Sequence, residues 1–404
     1  MKQINIGLIG FGCVGQGLYD VFQHSLRNIG IIHRICVKHR EKTRPLPLEY
    51  FTFSVDDILT DPKIDTVVEV INDAEEAYRI AQKALHQGKN LVTANKQMLA
   101  FHLRELHDLA LKTGSSLLYE ASACGSIPII RLLEEYYDTE PLRYIGGIFN
   151  GTTNYILTRT CLEGLDYAEA LSEAQRYGFA ESDPTSDVEG WDPTYKLVIL
   201  ALHAFGIYLN PLEVPRLGIT TLSQVDREFA QKNHYRLRLL AGCSSEVGHT
   251  YYYFVLPALV SSDSLLYETN YEYNGVFIEG QFTSEQFLRG KGAGAHPTGS
   301  AVLSDLSALR YDYRYEIKKR MEASWAPHQE KMLRLYLRWS REDNPWIEAY
   351  PIHWEERCQN ATTQWGIGWV SYAHLAQLCQ QVRLHEGFLA LVEEPWRQPN
   401  PPAI

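Results

Sequence analysis

Apolar residues come in short bursts at the start of the chain. INIGLI, residues 4–9, is the first, and from Val14 the segment VGQGLYDVF returns its apolar residues at helical spacing. Together they predict strand, turn and helix. IIHRICV, DTVVEVI, NLVTAN and SSLLYEAS continue the strands, while EEAYRIAQKALHQ, closed by Gly88, and a stretch from about 102 to 113 read as the helices between them. Such alternation is the pattern of an α/β unit. Further on, RYIGGIFNGTTNYILTRT (143–160) predicts a strand, a small polar turn from Asn150 to Asn154, and a helix. TYKLVILALHAF, ending at Gly206, is apolar almost all the way round and belongs in a core. Near the end LRLYLRW reads as a strand, YAHLAQLCQQV as a helix and GFLALVEE as a strand, with WRQPNPPAI expected to fray.

Length and charge narrow the classes. With 404 residues, 45% of them hydrophobic, the chain buries more than one core and divides into two or three domains. A balance of 38 basic to 49 acidic residues, net −11, argues against a nucleic-acid partner, so any anionic ligand must meet a local basic patch. No run approaches the roughly 18 apolar residues of a membrane helix. MKQINIGLIG passes into a strand without a charged n-region or cleavage site, which makes a cytoplasmic protein the expectation. The seven cysteines are scattered singly, without a CxxC pair, as reduced thiols are.

Two stretches carry candidate chemistry. Gly10-Phe11-Gly12-Cys13-Val14-Gly15 fits a dinucleotide turn: one glycine for the bend, one for close approach of a pyrophosphate and one for packing helix on strand. At the end of the second strand, where a binder of NAD offers an acid to the ribose, this chain offers Lys38, His39 and Arg40, with Lys42 and Arg44 beyond. A basic cluster favours NADP over NAD. The other stretch is FAESDPTSDVEGWDPTYK, residues 179–196, where five carboxylates crowd around one lysine, Lys196. Asp192 before Pro193 reads as an N-cap, with Lys196 one turn further along the same side of the helix. Carboxylates can hold the ammonium of an amino-acid substrate, and a lysine can move the proton that accompanies hydride transfer. Composition and spacing leave this reading level with a structural ion-pair network.

The blocks GFGCVG, VTANK (92–96), YEAS with IPII (119–130), GIFNGTTNYIL (147–157), AQRYGFAESDPTSDVEGWDPTYKLVILA (174–201) and GKGAGAHPTGSAVLSDL (290–306) resemble homoserine dehydrogenase, in order, over roughly residues 1–312. The resemblance implies NAD(P)-dependent interconversion of L-homoserine and L-aspartate 4-semialdehyde, a step towards threonine and methionine. It makes Lys196 the proton donor or acceptor, Lys96 the second lysine of the site, and Glu181, Asp192 and Asp187 the acids that bind the amino-acid substrate. Thr93, Lys96, Gly178 and Gly292 fall at cofactor contacts, and Arg40 faces the 2′-phosphate of NADP. It also implies a sodium ion held by Glu120 and the carbonyls of Ala123, Gly125 and Ile127, although Ala123-Cys124-Gly125-Ser126 departs from the usual valine and glycine-rich pattern. A homodimer is expected, and no kinase domain ahead of residue 1. The fold expected is α/β: a Rossmann-type NAD(P)-binding domain, residues 1–130 rejoined by a helix at about 293–312; an α+β substrate and dimerisation domain, 131–292; and a small α+β extension, 313–404. Relatives carry a threonine-sensing ACT domain in that last region, but REDNPWIEAY replaces the glycine-bearing loop that opens it. The extension is then a diverged regulatory module, a dimer-interface element or a cover for the substrate site. The rival functions are a different amino-acid semialdehyde reductase on the same architecture and a nucleotide-binding sensor without turnover.

Overall fold

The computed structural model describes residues 3–246, 250–319, 326–341 and 344–395; the expected fraying of WRQPNPPAI falls on residues outside these. The chain forms two compact units, one made of the segment up to Asp138 with the return segment Gly290–Lys319, the other of Thr139–Arg289 with the residues after 319.

In the first unit, strands β1 (Ile4–Ile9), β2 (Gly30–Cys36), β3 (Phe51–Thr52), β4 (Thr66–Glu69), β5 (Asn90–Thr93) and β6 (Leu117–Leu118) pair in parallel, in the order β3-β2-β1-β4-β5-β6. This is the doubly wound order, reversing between β1 and β4. Such strands are covered on both faces and read as continuous apolar runs, and Ile6, Leu8, Val67, Val68 and Leu91 are fully buried. Helices α1 (Cys13–Gln23), α2 (Asp56–Leu59), α3 (Ala74–His86), α4 (Lys96–Thr113) and α5 (Ile129–Glu135) complete the segment. The start of α4 differs from the periodicity reading: the Asn95 side chain accepts the Met98 amide at 3.0 Å, so the helix begins at Lys96 rather than near 102. SSLLYEAS yields only a two-residue strand, because Glu120–Ser122 tightens into a 3₁₀ turn. The returning helix, Ala295–Leu309, lies tight on α1; a Cβ on Gly17 would sit 2.1 Å from the Ala295 carbonyl oxygen.

The second unit is built on β7 (Leu142–Ile148), β8 (Arg236–Glu246), β9 (Thr250–Val260), β10 (Tyr273–Gly280) and β11 (Ser284–Lys291), with helices α6 (Gly151–Leu162), α7 (Tyr167–Arg176), α8 (Thr185–Val188), α9 (Trp191–Phe205) and α10 (Gln224–Lys232). With the returning helix counted as α11, the tail adds β12 (Ala326–Pro327), β13 (Met332–Ser340), β14 (His353–Gln359), β15 (Thr363–Ser371), α12 (Tyr372–Leu384) and β16 (Phe388–Val392). All enter one sheet, ordered β11-β10-β7-β8-β9-β16-β13-β15-β14 with β12 beside β9. The tail alone has the order β16-β13-β15-β14 of a ferredoxin-like βαββαβ motif, with a 3₁₀ segment, Asn344–Ala349, where the first helix would stand.

The tail is sewn into this unit. Leu391 and Val392 of β16 pair with Ala258 and Leu259 of β9, and one buried cluster joins Leu240, Phe254 and Leu256 to Leu335, Leu337, Leu375 and Leu389. Asp226 of α10, itself buried, accepts the Arg338 Nε on both oxygens at 3.0 Å and the Tyr336 hydroxyl at 3.0 Å. Removing one partner from such a buried pair costs about 3–5 kcal/mol. Among the described residues no helix is long and apolar enough to cross a membrane.

Candidate active site

At the carboxyl end of β1, Gly10 takes φ +101°, and a Cβ there would meet the Val70 carbonyl oxygen at 2.7 Å. A Cβ on Gly15 would lie 2.3 Å from the Gly10 carbonyl oxygen, so the helix packs on the turn only because residue 15 is glycine. Gly12 caps α1 with nothing within 4 Å of its Cβ direction, the open side that a diphosphate needs at a helix N-terminus. Phe11 is buried against Tyr19 and Phe51, Cys13 is exposed, and Val14 is half-buried. The turn therefore fits a dinucleotide. Past β2, Arg40 lies exposed with its guanidinium 4.5 Å over the Phe53 ring, and Arg44 donates to the carbonyls of Lys42 and His39.

Beside this turn, at the ends of β4 and β5, the Thr93 hydroxyl donates to Glu69 at 2.6 Å and accepts the Asn95 amide at 3.0 Å. Glu69 also accepts the Ile71 amide at 2.7 Å, and full burial pushes its carboxyl up to about 7. Lys96, half-buried, is the first residue of the helix that this network anchors. Sequence reasoning missed Glu69: within DTVVEVI it reads as one more strand residue.

The 120–127 loop adjoins the return segment. Gly125, at φ +56°, has the Gly292 carbonyl oxygen 2.6 Å from its Cβ direction, and the Ser126 amide donates to the Lys291 carbonyl at 3.0 Å. Ala123 is buried, and the Ile127 carbonyl accepts the Ile129 amide at 2.8 Å. The Glu120 carboxylate accepts the Ile130 amide at 2.9 Å and the Arg131 amide at 2.7 Å, capping α5. Glu120 also accepts the Tyr315 hydroxyl at 3.3 Å; a carboxylate oxygen can accept an amide and meet a cation at once, so the donor set expected of this loop is the Glu120 carboxylate with backbone carbonyls. Below it Asp305, fully buried and paired with Arg131 at 2.8 Å, is pushed up to about 7 by burial and then by the charge of Glu120.

In the second unit, the Lys196 ammonium donates to the Asp192 carboxylate at 2.7 Å and to the Phe149 carbonyl at 2.7 Å. Both side chains are buried, Asp192 at 2% and Lys196 at 6% exposure, so a solvated surface pair is ruled out. Asp192 is not the N-cap that the sequence predicts. Gly190, left-handed at φ +82°, takes that place, α9 starts at Trp191, and the Asp192 side chain accepts the Asn150 amide nitrogen and the Lys196 ammonium. The Asn150 amide nitrogen donates to Asp187 at 2.6 Å and Asp192 at 2.8 Å, while its oxygen caps α6 through the Thr153 amide. Asn150 thus ties three parts of the cluster together, although in the sequence it reads only as a turn residue. Asn274 donates to the same Phe149 carbonyl at 3.0 Å. Asn154 is structural: its amide group donates to the carbonyls of Thr269, Tyr271 and Tyr273. Gly178, at φ +76°, ends α7, and Glu181 stands exposed on the following loop, which Thr152 holds through the Phe179 carbonyl at 2.6 Å.

The first unit carries a glycine-rich dinucleotide turn and the second a buried lysine on a carboxylate, which are the marks of an NAD-binding oxidoreductase. The family model described as homoserine dehydrogenase, NAD binding domain, matches residues 10–120, and that described as homoserine dehydrogenase matches residues 128–307. The homoserine dehydrogenase of Bacillus subtilis is 38% identical over 323 residues, 78% of this chain and 74% of its own. A homoserine dehydrogenase from Thiobacillus denitrificans, known from its crystal structure, is 27% identical with a TM-score of 0.85 over 98% of this chain and 99% of that one, so its fold takes in the tail. A hyperthermophilic archaeal homoserine dehydrogenase mutant, solved in complex with NADPH, is 26% identical with a TM-score of 0.65 over 78% of this chain and 100% of that one. The chain belongs to the homoserine dehydrogenase family. The reaction of that family interconverts L-homoserine and L-aspartate 4-semialdehyde.

Proposed function

We propose that Lys196 is the proton donor and acceptor of this reaction, and the observation that carries the reading is its burial on Asp192 and the Phe149 carbonyl. An ammonium has three N–H donors, and those two acceptors aim two of them, which directs the third at a substrate oxygen. The bound cofactor supplies or receives the hydride. Asp187 and Glu181 bind the substrate ammonium, with Asn150 keeping the Asp187 and Asp192 carboxylates from turning away. Lys96, at the head of α4, serves the cofactor with Thr93 and Gly292, and Gly178 is a further cofactor contact. Arg40 reads the 2′-phosphate of NADP, supported by its exposure beyond β2 and by the NADPH complex of the archaeal relative. A sodium ion takes the Glu120 carboxylate and the backbone carbonyls of Ala123, Gly125 and Ile127. The enzyme works as a cytoplasmic homodimer.

The test is absorbance at 340 nm with L-homoserine, comparing NADP⁺ with NAD⁺ and sodium with potassium buffer. Homoserine-dependent reduction, faster with NADP⁺, is expected. Binding of NADPH without turnover of homoserine would overturn the assignment.

A further inference from the structure

Helix α9 begins on a glycine, which has no side chain with which to hold the first turn. What holds it comes from elsewhere in the same unit. Arg216 places its guanidinium 3.5 Å above the Trp191 ring and donates to the Glu189 carbonyl at 2.5 Å, gripping the chain on both sides of Gly190. Trp191 in turn stacks on Tyr195, the residue before Lys196, with 5.9 Å between ring centroids and 24° between planes. The segment that carries Arg216 is itself pinned, the Leu217 amide to the Val255 carbonyl at 2.9 Å and the Ile219 amide to the Val188 carbonyl at 2.8 Å. Its last support comes from the tail: Arg383 of α12 donates to the Arg216 carbonyl at 3.0 Å. Burial, and then the charge of Arg383, pull the Arg216 guanidinium down to about 10, so its placement beside this turn is unfavourable for the charge and has to be offset by the contacts it makes there.

We infer that Arg216 is a positioning residue for the Lys196–Asp192 pair, and that the tail acts on catalysis through Arg383 and Arg216. The inference rests on the reading of Lys196 as the proton-transfer group. The physical link is leverage: a first turn released at Gly190 and Trp191 moves Asp192 against the 2.7 Å contacts that aim Lys196. Misplacement by about an ångström costs on the order of a hundredfold in rate.

The experiment uses the full chain, with homoserine turnover and fluorescence titration of NADPH measured on each variant. Arg216→Met removes both grips and keeps the aliphatic stem, and Arg383→Gln alters an exposed side chain and leaves the core intact. Arg216→Met is expected to lower kcat about ten- to a hundredfold, with NADPH affinity unchanged to within about twofold, and Arg216→Lys to recover part of the loss. Arg383→Gln should lower kcat by a smaller factor and add nothing in the Arg216→Met background, because it acts through that residue. Wild-type kcat in both single variants, or losses that multiply in the double variant, would overturn the inference. So would a lowered Tm with kcat and its pH profile unmoved, the mark of a merely structural arginine. A wild type that fails to turn over homoserine overturns the reading of Lys196 and this inference together, whereas an active wild type with unaffected variants overturns the inference alone.

Discussion

The turn at Gly10–Gly15 and the turn at Gly190–Lys196 both start a helix at a place to which we assign chemistry, and they are built on opposite terms. The first works through missing atoms: Gly10 and Gly15 each have a carbonyl oxygen within 2.7 Å of where a Cβ would stand, and the open face at Gly12 is left to the ligand. The second works through added ones: Asp192, Lys196 and Asn150 fill a buried space with hydrogen bonds of 2.6–2.8 Å. A turn made of glycine backbone is intolerant of volume, while its amides favour an anion. A buried charge network is sensitive to the loss or the displacement of a partner.

Substitutions can press on that contrast, beginning with the largest effect. Lys196→Ala should lower kcat by about a hundredfold or more while NADPH binding, measured by fluorescence, stays near wild type; unchanged turnover would remove Lys196 from the mechanism. Gly15→Ala should do the reverse, weakening NADPH by about tenfold or more and lowering Tm through an overpacking cost of about 1–3 kcal/mol. If the alanine variant binds NADPH normally, the turn is not defined by sterics. Replacing Arg40 by Asp should weaken NADPH about tenfold and NADH little, since only the former carries the 2′-phosphate; equal losses would show that the basic cluster does not discriminate.

The smallest effect concerns Glu69, whose carboxyl is raised from 4.5 to about 7 by burial. Between those values the folded chain holds a proton that the unfolded chain has released, so stability falls as pH rises through the window and stays lower above it. Glu69→Gln keeps an acceptor for the Ile71 amide and has no such proton. The variant should therefore flatten the dependence of the urea midpoint between pH 5 and pH 8, gaining on the order of 1–3 kcal/mol over wild type at pH 8. A slope equal to that of the wild type would place the titration elsewhere, with Asp305 as the other buried carboxyl raised to about 7.

What could be read from the sequence varied with exposure. Strands β1 and β4 announce themselves as apolar runs between turn residues, and α9 as an apolar helix closed by Gly206. β9 and β14 do not, for opposite reasons. Nearly all of β9 is buried, which erases the two-residue alternation, and β14 sits exposed at the sheet edge, which erases it from the other side. The site shows the same limit. Asp192 and Lys196 stand four apart on one helix, so their pairing follows from helical geometry. Asn150 and Glu69 act on partners far along the chain, and nothing local marks them.

The sequence by itself determined the doubly wound first unit, the glycine turn and the Lys196–Asp192 pair, because each depends on periodicity or on residues within one turn of one another. Only the tertiary structure decided that Gly190 caps α9, that Asn150 bridges Asp187 and Asp192, and that the tail is a continuation of the second unit's sheet. The last two turn on contacts between segments tens to more than a hundred residues apart. Which buried donor meets which acceptor at that range is set by the packing of whole elements.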